Sequence, residues 1–189
     1  EKWLKNSVQC PLTVIRCENY THKSFYSLPV KPSPNLADMR AIYLYPSLAF
    51  FEGTVVSEGR GTDFPFLVAG HPDYSIHSFS FIPRPIPEAS LSPKFSGKKC
   101  YGIDLSGEPL DTLQKTRQLT LSYLFEFYND LKLGEKFFIP FFDNLAGTDQ
   151  LRRMILSGKN EDEIRKSWQP ALEEFKKIRV KYLLYPDYE

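Results

Sequence analysis

KKCYGIDLSGEPLDTLQKTRQLTLSYLFEFYNDL, residues 98–131, is the stretch in which the chain changes character. Residues 98–105 read as a strand, a short run bounded by turn formers in which Cys100, Tyr101, Ile103 and Leu105 are apolar. Gly107 and Pro109 interrupt it. Beyond them the apolar spacing becomes helical, with Leu121, Leu124, Phe125, Tyr128 and Leu131 on one stripe. Asp111 or Thr112 stands where a cap is needed, and Gly134 lies just past the end, so the spacing predicts a helix over 111–131. Strands come first and helices later, a pattern of α+β folds rather than of βαβ alternation.

Upstream, residues 12–17 (LTVIRC) read as a buried β-branched strand, and Pro29, Pro32 and Pro34 bar a helix from the connection that follows. Residues 41–51 (AIYLYPSLAFF) read as a strand or tight turn to Tyr45, then a short helix with Pro46 at its first position. Gly53 would end that helix. Residues 66–69 and 77–83 read as strands, the second with period-2 alternation. Downstream, a short helix is expected over 149–156, closed by Gly158. Asn160 and Glu163 have capping-box spacing, and Ile164, Trp168, Leu172, Phe175 and Ile178 form a helical stripe that Pro170 restarts or kinks. The expected layout is a small mixed sheet in a strand-rich part, 10–108, and helices concentrated in 111–185. Glu1 is not Met, no basic and apolar leader follows it, and residues 1–5 resemble the tail of a helix; the expectation is part of a longer chain.

Composition narrows the function classes. The 189 residues carry 24 Lys+Arg against 23 Asp+Glu, so net charge gives no reason to expect nucleic acid as a partner. No apolar run reaches the roughly 20 residues of a membrane span. Cys10, Cys17 and Cys100 contain no CxxC pair, and His22, His71 and His77 lie in no HExxH, so buried free thiols and no metal site are expected.

Chemistry concentrates in Glu52-Gly53-Thr54-Val55-Val56-Ser57-Glu58-Gly59-Arg60-Gly61-Thr62. Glycines let backbone bend sharply or approach a ligand. The Arg60 fork suits a carboxylate or phosphate. Glu52 and Glu58 can act as an acid–base pair if their surroundings push their pKa values apart. A solvated turn with a Glu–Arg ion pair explains the same residues without function. The string is neither a Walker loop nor a GxGxxG. Asn35, after Pro32-Ser33-Pro34, either presents its amide from a rigid turn or caps the next segment.

Pro32-Ser33-Pro34-Asn35, Tyr45-Pro46, Phe51-Glu52-Gly53-Thr54, Ser57-Glu58-Gly59-Arg60-Gly61-Thr62, Pro65-Phe66 and Gly70-His71-Pro72 follow in an order and spacing that resemble the C-terminal half of the NamZ-type exo-β-N-acetylmuramidases, long catalogued as a bacterial domain of unknown function. The ending from Trp168 to Tyr185 is similar to that family's last helix and tail. The resemblance implies a peptidoglycan glycosidase that releases terminal N-acetylmuramic acid from the non-reducing end. It implies a second α+β subdomain beside a Rossmann-like N-terminal half, absent from this chain, that holds the family's proposed catalytic glutamates. Residues 1–189 would then form one wall of the cleft and be inactive alone. Arg60 would take the lactyl carboxylate; Glu52 and Glu58 would accept hydroxyls, hold Arg60 or act in catalysis. Thr62 and Asn35 would bind hydroxyl or acetamido groups, and Tyr45 would stack on a ring. No cofactor is implied; the partners would be the glycan and the N-terminal half, in the cell envelope, periplasmic or secreted. A non-catalytic glycan-binding module is the alternative.

Overall fold

The computed structural model describes residues 11–187. In chain order its elements are α1 (Met39–Leu48), β1 (Val68–His71), β2 (Ser80–Phe81), β3 (Cys100–Asp104), α2 (Leu110–Thr116), α3 (Ser122–Leu131), α4 (Phe141–Ala146), α5 (Gln150–Leu156) and α6 (Glu161–Arg179), with short 3-10 turns between some of them. The class is α+β, as expected. The sheet has the order β1-β3-β2 and is antiparallel in both pairings rather than mixed.

β3 is central because both of its edges are taken. Gly102 faces Gly70 in β1, and Tyr101 faces both His71 and Ser80. A side chain at Gly102 would run into the carbonyl of Ala69, so glycine is what allows the two strands to close up. The expected strands at 66–69 and 77–83 are displaced and shortened, to 68–71 and 80–81. Phe66 cannot begin a strand, because its backbone is left-handed, φ +58°.

The largest change from expectation is α1. Residues 41–45 are helical, and Pro46 lies inside the helix instead of starting it. Asp38 caps the start by accepting from Arg40 N–H at 2.7 Å. The helix then buries Ala41, Leu44 and Leu48 on one face, and that packing outweighs the hydrogen bond that proline cannot donate. The chain tightens into a 3-10 turn over Ala49–Gly53, which buries Phe51. The helix expected over 111–131 is two helices. Arg117 turns left-handed after α2, and Leu121 drops into the core ahead of α3. There Ser47 Oγ accepts from Thr120 N–H and Glu161 from Leu121 N–H, so tertiary partners hold the break. Lys132, not Gly134, is the left-handed residue ending α3. The phenylalanine-rich segment before Gly147 forms α4, a helix the sequence reading did not anticipate. α5 and the Asn160–Glu163 capping box are where expected, with reciprocal bonds of 3.0 and 2.9 Å.

The described residues fall into two compact units. One spans Tyr26–Gln169 and holds the core, in which Phe127 meets Phe51 edge-on at 5.2 Å and stacks on Tyr74 at 4.3 Å. The other joins the two ends, up to Phe25 and from Pro170; in it Cys17 N–H donates to the Tyr185 hydroxyl at 2.6 Å. Residues 12–17 are not a buried strand: no described strand pairs with them, and Ile15 is 90% exposed. The helix tail expected at 1–5 lies outside the described residues, as does Cys10. Cys100 is a buried free thiol whose pKa burial pushes up to about 12, whereas Cys17 is exposed, contrary to expectation. No helix among the described residues is long and apolar enough to cross a membrane.

Candidate functional site

The loop after α1 is a series of local side-chain and backbone bonds that leave its charged groups on one side. Thr54 donates to Phe51 O at 3.0 Å and accepts from Val56 N–H at 3.1 Å, which fixes the turn out of the 3-10 segment. Ser57 then pairs with Gly70 through both backbone bonds, 2.8 and 2.9 Å, attaching the loop to β1. Gly59 has φ +80°, and a Cβ there would stand 2.7 Å from Phe64 O, so this turn requires glycine.

These turns bring Glu52, Glu58 and Arg60 together. Arg60 Nη2 donates to Glu52 Oε2 at 3.0 Å, and Arg60 Nε lies 3.3 Å from Glu58 Oε1. The guanidinium carbon sits 5.0 Å from the centre of the Phe66 ring, a cation–π placement. Tyr45 meets the same ring edge-on at 4.8 Å. The left-handed backbone of Phe66 therefore sits at the residue whose ring supports Arg60 on one side and Tyr45 on another.

A fourth charge completes the cluster. Lys94 Nζ donates to Glu58 Oε2 at 3.2 Å, to Phe51 O at 2.6 Å and to Val56 O at 3.0 Å. Burial holds its pKa below the usual lysine value, while the Glu58 carboxylate pulls it back up. Two carboxylates and two cations make the cluster neutral. Glu58 is buried and has a cation at each oxygen, which makes it an acceptor and a strut. Glu52 and Arg60 are partly exposed, and among the described residues Arg60 Nη1 makes no hydrogen bond. That nitrogen is free to meet an incoming anion.

The other two expected residues are occupied locally. Thr62 donates to Gly59 O at 2.7 Å and accepts from Phe64 N–H at 3.0 Å, holding the turn next to Arg60. The Asn35 amide donates to Ala89 O at 2.9 Å, so it is held by the backbone and not by the ion pairs. Sequence reasoning missed Lys94 and the role of Phe66. Pro65-Phe66 belongs to the quoted pattern, but nothing in the spacing gives its ring a task; Lys94 lies 36 residues from Glu58, in a segment without a motif. His71 is buried, with Nδ1 accepting from Asp73 N–H at 3.1 Å and its ring edge-on to Phe95 at 4.9 Å. Among the described residues, no three His, Cys, Asp or Glu side chains gather in a way that could hold a metal ion.

Sequence-family comparison matches residues 43–185 to the family described as exo-β-N-acetylmuramidase NamZ, C-terminal. The chain belongs to the NamZ C-terminal family. Within this NamZ family, the peptidoglycan β-N-acetylmuramidase NamZ of Bacillus subtilis (strain 168) is 31% identical over 199 residues, an alignment covering 95% of this chain and 47% of that protein. The crystal structure of a DUF1343 family protein from Bacteroides fragilis NCTC 9343 is 49% identical and superposes with a TM-score of 0.88 over 94% of this chain and 50% of its own. The chain therefore spans about half the length of the relatives it matches. The family match begins at Tyr43, so it takes in the Glu52–Arg60 cluster and Lys94 but not Asn35.

Proposed function

We propose that this chain is part of a peptidoglycan exo-muramidase and forms one wall of the cleft that holds terminal N-acetylmuramic acid. The observation that carries the reading is Arg60 in a family of exo-β-N-acetylmuramidases. N-acetylmuramic acid differs from N-acetylglucosamine by a lactyl ether ending in a carboxylate. Arg60, braced on both sides by carboxylates and from one face by Phe66, keeps Nη1 available for such a group. Tyr45 offers an aromatic edge nearby, and Glu52 the more exposed of the two carboxylates, suited to a sugar hydroxyl. On this reading the acid and base come from an N-terminal half, and the protein works in the cell envelope, periplasmic or secreted.

A second reading is a non-catalytic module for muramic-acid glycans. Both readings agree with Glu58, whose two oxygens are both taken by cations and so are poorly placed to accept a proton from a nucleophile.

The test is an assay on a chromogenic N-acetylmuramic acid glycoside, using this chain with and without its N-terminal half. Turnover is expected only with both halves present. Turnover by this chain alone would move catalysis to Glu52 and Glu58, and binding without turnover by the joined halves would favour the second reading.

A further inference from the structure

The charge balance of the Arg60 cluster depends on a residue that no motif marks. Lys94 enters from the irregular segment between β2 and β3, flanked by Pro93 and Phe95. Its ammonium has three N–H groups, and the structure provides three acceptors: Phe51 O, Val56 O and Glu58 Oε2. Phe51 precedes Glu52, and Val56 lies two residues before Glu58. One ammonium thus ties down the backbone beside both carboxylates and one of the carboxylates itself. The other Glu58 oxygen faces Arg60 Nε at 3.3 Å, and Glu52 holds Nη2 at 3.0 Å. The order of charges is Lys94, Glu58, Arg60, Glu52.

Without Lys94, two carboxylates would share a single guanidinium and the cluster would be net negative. An arriving carboxylate would then meet repulsion just where it needs attraction. With Lys94 the cluster is neutral before the anion arrives, and the Glu58 charge is shared between Lys94 and Arg60. We propose that Lys94 is a positioning residue for anion recognition: it offsets Glu58 and fixes it, so that Arg60 keeps its orientation and its pull on a carboxylate-bearing sugar. The proposal rests on the reading of Arg60 given above. Lys94 has its three donors occupied and does not itself touch the sugar.

A purely structural pin for the loop would behave differently, and charge arithmetic separates the two. The experiment uses the full-length protein with calorimetric titration of N-acetylmuramic acid and of N-acetylglucosamine at fixed ionic strength, alongside thermal melts. Lys94→Met is expected to weaken N-acetylmuramic acid about tenfold through the uncompensated Glu58 charge. N-acetylglucosamine should stay within about twofold, since it has no carboxylate to repel. Adding Glu58→Gln to Lys94→Met restores neutrality and should recover most of the lost preference. Equal losses on both sugars, or no recovery in the double variant, would overturn the role of Lys94 while leaving that of Arg60 intact. A wild-type protein that binds the two sugars equally would overturn both. If Lys94→Met melts below the assay temperature, Lys94→Gln carries the same expectation, since its amide can still donate to the backbone carbonyls.

Discussion

Arg60 has a carboxylate at each of two edges and a ring beneath it, so its value lies in a fixed direction more than in free charge. Arg60→Ala removes the cation and leaves Glu52 and Glu58 facing the same space. Affinity for muramic acid ligands is expected to fall roughly ten- to hundredfold, the range for a charged hydrogen bond, with far less change for glucosamine ligands. Parallel titrations of both sugars check this, and equal losses would rule out carboxylate recognition. His71 gives a prediction of another kind. Burial lowers its pKa from the ordinary 6.5, and the Asp73 carboxylate only partly opposes that. Its Nδ1 already accepts from Asp73 N–H, a bond that a protonated ring cannot keep. The unfolded chain therefore takes the proton first. The stability contributed by neutral His71 is complete above 6.5 and is lost as pH falls through the lower folded value. Melting temperature should drop on acidification below 6.5, and His71→Gln should flatten that slope; an unchanged slope would assign the acid sensitivity to other groups.

At the scale of elements, β3 was legible because its turn formers and apolar run sit side by side, and the capping box because its two residues are three apart and bond to each other. α1 was hidden. Pro46 argues locally for a helix start, and only burial of Ala41, Leu44 and Leu48 against distant residues reveals a helix running through it. The break after Arg117 was equally invisible, since Ser47 and Glu161, which hold it, are remote in sequence. The site divided along the same line. Glu52, Glu58 and Arg60 were legible because one short loop carries them; Lys94 was not, because its partners are supplied by the fold. The sheet offers a sharp test. Gly102→Ala puts a methyl into the Ala69 carbonyl, so β1 and β3 must separate or slip. A loss of about 1–3 kcal/mol is expected, as for other overpacked sites, read as a lower urea midpoint with unchanged slope. A neutral result would mean that the strands have room to spare.

For the whole molecule, the near-equal acid and base counts recur in miniature at the site, where two carboxylates meet two cations. The unit from Tyr26 to Gln169 contains Phe51, Phe66, Phe127, Phe142 and Ile164, all completely buried. By contrast Leu172, Phe175 and Ile178, on the later part of α6, are largely exposed. A segment limited to residues 26–169 is therefore expected to fold and to unfold in one cooperative transition, which differential scanning calorimetry would show. A broad, uncooperative trace would mean that the core needs the two ends. This half-length portion of its relatives would then be divisible again, with the Arg60 cluster entirely in the larger piece.

Judged by backbone torsions alone, Phe66 would be a target for anyone engineering a hardier version of this protein. A bulky residue at φ +58° costs about 1–3 kcal/mol in backbone conformation, and a design procedure that scores torsions would replace it with glycine. The replacement would relax the main chain but empty a fully buried site, a loss of about 3–5 kcal/mol for truncating a core phenylalanine. It would also remove the platform under Arg60 and the ring that Tyr45 leans on. A library selected for heat resistance would therefore be expected to keep the phenylalanine that a score blind to packing would discard.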